Sequence, residues 1–128
     1  MKPTMKHIND ITLFSSQSTA VESYHLTDEK RLTGDPLQSV QNHFQSPCKQ
    51  FNVGIWQSEP GSWNINYSEY EYCDILEGCS IITDSRGKSL TVNVGDKFVI
   101  PAGFSGTWEV VNHCIKIYVM FEQQLEQT

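Results

Sequence analysis

From Phe51 onward, apolar side chains alternate with polar or small ones over short runs, and each run ends at a turn signal. Phe51–Gln57 (FNVGIWQ) and Trp63–Tyr67 put residues i and i+2 on one face, the period of a half-buried strand. The turn Glu59-Pro60-Gly61-Ser62 separates them. Glu71–Leu76 and Cys79–Thr83 follow, broken at Glu77-Gly78. Asp84-Ser85-Arg86-Gly87 reads as a hairpin turn whose final glycine can take positive φ. Ser89–Val94, Lys97–Ile100, Thr107–Val111 and Ile115–Phe121 complete a set of about eight short strands, the spacing of a small antiparallel sandwich or barrel.

The pattern before Phe51 is different. Ile8–Phe14 (INDITLF) suggests one short strand, His25–Lys30 is polar, Gly34-Asp35-Pro36 is a turn signal, and Ser46-Pro47 closes the segment. We expect residues 1–47 to form an irregular arm packing on the barrel or on a partner subunit, 48–123 to form the barrel, and 124–128 a tail. Glu122–Thr128 has room for one helical turn.

Composition narrows the function more than the fold. With 128 residues the chain holds one domain, and its 38% apolar and 19% charged content fits a soluble globular protein. Three Trp, five Tyr and six Phe supply a β-rich core and material for a ligand pocket. The net charge of −6, with Lys30-Arg31 as the longest basic run, argues against nucleic acid as a partner. No apolar h-region opens the chain and no run approaches the roughly 18 apolar residues of a membrane span, so we expect a cytoplasmic protein without membrane association. Cys48, Cys73, Cys79 and Cys114 match no zinc or redox spacing and are expected as free thiols.

The pieces EYCDILEG, GDKFVIPAGFSGTWEV and KIYV, in this order, resemble the paired motifs of the cupin superfamily, in particular small single-domain members similar to ureidoglycine aminohydrolase-like domains and the ethanolamine-utilisation cupin. The resemblance implies an all-β, double-stranded β-helix (jelly-roll) barrel, usually dimeric, with a pocket at its wide mouth. Metal-binding cupins carry two histidines and a glutamate in the first motif and a third histidine in the second. Here the glutamate position falls on Glu71. The first two histidine positions fall on Ile65 and Tyr67, or on Asn64 and Asn66 in the alternative register, and the third on Gly106. One carboxylate does not hold a transition metal, so no metal and no cofactor are expected.

If Glu71 points inward, alternation takes Cys73 and Ile75 with it, and Trp108 and Val110 follow Gly106 inward. Gly106 would then leave open space where a histidine stood. On the last strand two faces compete: Ile115, Ile117, Val119 and Phe121 suit the deep core, whereas Cys114, Lys116, Tyr118 and Met120 would face solvent or a polar pocket. The expected ligand-binding set is Trp63, Tyr67, Glu71, Cys73, Phe98, Trp108 and Lys116. A carboxylate walled by aromatic rings suits a small amine or polyamine-like metabolite. A Lys116–Glu71 contact would instead favour a neutral or zwitterionic ligand. We therefore expect a metal-independent binding protein, with a small-molecule ligand and a second copy of the chain as its partners. The alternative is an enzyme acting on a C–N bond of a small nitrogenous metabolite, with Glu71 as its acid–base group.

Overall fold

The computed structural model describes residues 4–16 and 18–124. Among these the chain forms nine strands and two short 3-10 turns: β1 (Glu22–His25), β2 (Arg31–Thr33), β3 (Leu37–Gln45), β4 (Phe51–Ser58), β5 (Gly61–Asn66), β6 (Tyr70–Asp84), β7 (Ser89–Asn93), β8 (Lys97–Ile100) and β9 (Ser105–Phe121). Every strand pairing is antiparallel. The all-β architecture expected from the alternation is present.

β9 organises the sheet. Its first half pairs with β5 and its second half with β4, while its other edge runs along the whole of β6. β6 in turn carries β8 on its first half and β7 on its second. The path β1-β3-β4-β9-β5-β2 describes the remainder of the curled sheet. The breaks read from sequence at Glu77-Gly78 and between Val111 and Ile115 do not end strands. Register shifts between Ile75 and Ser80 absorb the extra residues as a bulge, and β6 and β9 continue through it. Gly78 is at φ +85°, and a Cβ there would lie 2.1 Å from the His113 carbonyl oxygen, so the bulge needs glycine.

The N-terminal segment departs most from expectation. Ile8–Phe14 forms no strand; 3-10 turns occupy Ile8–Asp10 and Phe14–Ser16, the first closed by the His7 N–H donating to Asp10 Oδ2 at 2.8 Å. Local side-chain hydrogen bonding by Asp and Ser competes with extended backbone here. Residues 22–45, expected to be irregular, supply β1, β2 and β3. Their polar side chains hid the pattern: β1 and β2 lie at the sheet margins, and the fully buried residue of β3 is Gln38. The arm itself packs on β3, where Phe14 stacks on His43 at 4.2 Å and Gln41 Nε2 donates to the Thr19 carbonyl. At the other end, 122–124 carry no helix and the rest of the expected helical turn lies outside the described residues.

The core is a cluster built around Trp56, Trp63 and Trp108, with Ile75, Ile82, Val92, Ile100 and Val110 beneath. The rings of Trp56 meet those of Trp63 and Trp108 edge-on at 6.1 and 5.9 Å.

Candidate ligand-binding site

Neighbouring strands bring the polar residues of this core together. Lys116 on β9 stands directly opposite Trp56 on β4 and Ile75 on β6. Glu71 on β6 stands opposite Met120 on β9 and Ile100 on β8. Tyr67 follows β5 and is pinned by backbone bonds, its N–H donating to the Phe104 carbonyl and its carbonyl accepting from Gly103 N–H. All three side chains converge on one point. Lys116 Nζ donates to Glu71 Oε1 at 3.1 Å, and the Tyr67 hydroxyl donates to the same oxygen at 2.6 Å. Glu71 is 1% exposed and Lys116 5%.

The Lys116 ammonium also lies 4.3 Å from the Trp108 ring centre and 4.7 Å from that of Trp56. Both fall within the range of a cation–π contact, worth about 2 kcal/mol when desolvated. Burial works to depress the pKa of this lysine. The Glu71 carboxylate, with Tyr67 and Cys73 beside it, outweighs that effect, so the net direction is upward and the side chain stays charged. Burial also pushes the Tyr67 hydroxyl far above the ordinary tyrosine range.

Tyr118 reaches across β4 to donate to Asn42 Oδ1 on β3 at 2.7 Å, and burial first, then the Glu71 charge, raises its pKa to about 12. Gly54 makes this crossing possible. A Cβ at 54 would lie 2.5 Å from the Tyr118 hydroxyl and 2.2 Å from the Gln41 carbonyl oxygen.

These residues line a cavity of about 310 Å³. Five of the seven expected side chains line it: Trp63, Tyr67, Glu71, Trp108 and Lys116. Two do not. Cys73 is fully buried behind the ion pair, where burial raises its thiol to about 12. Phe98 contacts Trp108 at 6.4 Å from the far side and lines a separate apolar cleft with Ile82 and Phe104. Alternation puts both on the inner face, but the cavity floor stops at Glu71. Gly106 does not open space in this cavity, although it borders a separate cleft with Asn64, Asn66 and Ser105. A Cβ there would lie 2.0 Å from the Thr83 carbonyl oxygen, so the glycine admits the backbone of β6. The aliphatic set Ile115, Ile117 and Val119 is half-buried on the outer face; of the mixed set, Lys116, Tyr118 and Met120 line the cavity and Cys114 is buried in the core, reversing the core assignment.

Sequence reasoning missed Trp56, Gln38, Tyr24, Asn42 and Asn52 as lining residues. Trp56 enters because it stands opposite Lys116 on the paired strand, a register the sequence alone does not give. The others sit in or beside strands whose existence the polar pattern concealed.

A metal does not fit this donor set. The one carboxylate at the position expected for a ligand is already neutralised by an ammonium, and among the described residues no three His, Cys, Asp or Glu side chains come together.

The family model for the EutQ-like cupin domain matches residues 45–118. The chain belongs to that cupin family. The curled antiparallel barrel also resembles solved cupin structures. A DUF861-family protein of unknown function from Pseudomonas syringae pv. tomato aligns with TM-score 0.72 at 21% identity, covering 80% of this chain but only 45% of that one. The EutQ protein of Clostridium difficile aligns with TM-score 0.62 at 19% identity, over 77% of this chain and 74% of that one. At these identities the likeness speaks for the fold alone. A DUF861-family protein from Thermotoga maritima is 33% identical over 52% of this chain and 76% of that one, with TM-score 0.51. No curated protein matches the sequence. Among the described residues no helix of this cupin is long and apolar enough to cross a membrane.

Proposed function

We propose that this cupin is a small-molecule-binding domain that takes its ligand in the Trp56–Trp63–Trp108 cavity without a metal. The observation that carries it is the internal ion pair: Lys116 Nζ sits on Glu71 Oε1, between two indole faces, where a bound cation would otherwise be held. The same observation removes support for a ligand amine at Glu71, because a second ammonium would meet the first. A neutral or zwitterionic molecule is the better match.

C–N bond chemistry has less behind it. A general base, nucleophile or activated amine is required. Glu71 Oε1 already accepts two hydrogen bonds, the Cys73 thiol is pushed to about 12, and Lys116 is held protonated. Neither the thiol nor the ammonium is poised to act near neutral pH.

Mass spectrometry of the protein purified without a histidine tag, alongside elemental analysis of the same sample, tests the proposal. The expected result is a stoichiometric organic ligand of low mass with metal well below one equivalent. Stoichiometric manganese, nickel, iron or zinc would reject it.

A further inference from the structure

Gln38 is 2% exposed, lines the cavity, and stands opposite Tyr24 on β1 and Ser58 on β4. Its Oε1 accepts from Trp56 Nε1 at 3.3 Å. An indole N–H can only donate, so the orientation of the amide is settled by chemistry: oxygen toward Trp56, NH2 away from it. That NH2 is the buried side-chain polar atom without a partner among the described residues.

The other polar atoms of the cavity sort by whether they are engaged. Glu71 Oε1 accepts from Tyr67 and Lys116, Asn42 Oδ1 accepts from Tyr118, and Asn52 Oδ1 accepts from Asn42 and Gln45. One donor stands out: Gln38 Nε2 has two protons with no acceptor, whereas the Lys116 ammonium is shared among Glu71, Cys73 and the two indole faces. Glu71 and Lys116 together carry no net charge, so an ion entering beside them would be buried without compensation.

We infer that the ligand is a neutral molecule with a flat or apolar body and a carbonyl-type acceptor, an amide or lactam for example, whose oxygen takes the Gln38 Nε2–H. The inference rests on the cavity being a ligand site. Space limits the guest to about ten non-hydrogen atoms, at the ~30 Å³ a water molecule occupies in the liquid. The indole walls favour a planar body. A site built around a donor discriminates strongly against guests that leave the donor unpaired.

Three probes of one shape separate the possibilities: benzamide, benzoate and benzylamine, titrated calorimetrically and by tryptophan fluorescence into wild type and Gln38→Met. Benzamide should bind at micromolar to millimolar Kd, at least tenfold tighter than the other two, and Gln38→Met should weaken it about tenfold. Should that variant fold poorly, the Gln38 side-chain amide protons of wild type give the same answer by NMR, moving downfield on addition of benzamide. Benzoate or benzylamine binding best, with indifference to Gln38, would overturn the acceptor inference while leaving the cavity a ligand site. No binding of any probe and unchanged tryptophan fluorescence would overturn both.

Discussion

Lys116 and Ile117 are adjacent in β9 and lie on opposite faces of the sheet. Lys116 is buried against Glu71, Trp56 and Trp108, whereas Ile117 is only partly buried, beside Val53, Ile55, Val119 and Phe121. A rule that sends aliphatic residues in and charged ones out inverts these two faces. The inner face here is polar and charged yet nearly every buried atom is paired, while the outer face is apolar and only partly covered. A buried charge is tolerated where its partners converge, and alternation alone reports that two faces exist without saying which is inside.

The largest expected effect breaks the inner face. Glu71→Leu leaves Lys116 buried without its counter-charge, and chemical denaturation should show a loss of about 3–5 kcal/mol. The double variant Glu71→Leu/Lys116→Met removes both charges and should recover most of that loss. Equal instability of single and double variants would mean that the pair contributes through packing alone.

Next come the two close approaches that shape the cavity. Gly54→Ala forces apart β3, β4 and the Tyr118 ring and should cost about 1–3 kcal/mol, as should Gly106→Ala against β6. The Gly54 variant should also disturb the tryptophan environment in near-ultraviolet circular dichroism, and the Gly106 variant should do so less, since Gly106 lies off the cavity. On the outer face, Ile117→Ala should cost only about 1 kcal/mol. A loss as large as that of Glu71→Leu would reverse the ranking of the two faces.

Alkaline pH sharpens the comparison further. The Cys73 and Tyr118 acids are both raised to about 12 by burial, and Lys116 is raised above an ordinary lysine. In the unfolded chain the thiol, phenol and ammonium lose protons from about pH 8.5, 10 and 10.4. The unfolded state then binds fewer protons than the folded one, so stability falls as pH rises above about 9 and continues to fall through 12. Denaturation midpoints at pH 8, 10 and 11 should decline in that order. The smallest effect concerns the thiols: exposed Cys48, lowered chiefly by its hydrogen bond with Ser46, should react with a disulfide reagent first, and buried Cys73 and Cys114 only on unfolding.

The barrel was legible because turn chemistry and strand alternation agree from Phe51 to Phe121. The first three strands were not, since Glu22–His25 buries nothing and the fully buried residue of β3 is a glutamine, so neither writes an apolar period. At the site, Glu71, Tyr67 and both Trp63 and Trp108 could be placed by motif and alternation. Trp56 and Gln38 required the β3–β4–β9 register, and Cys73 and Phe98 were drawn in because alternation says inward but not how far the cavity extends. Gly106 misled for a related reason: a missing side chain leaves room, and only the neighbouring backbone shows what fills it.

The account turns on a charged lysine standing in the aromatic cage. Side-chain NMR of Lys116 Nζ and its ε-methylene protons, followed from pH 7 to 11.5, tests it directly. A protonated ammonium with methylene protons shifted upfield by the Trp56 and Trp108 rings, persisting beyond the ordinary lysine titration near 10.4, is the predicted result. Shifts of a solvent-exposed lysine, titrating at that ordinary value, would contradict it.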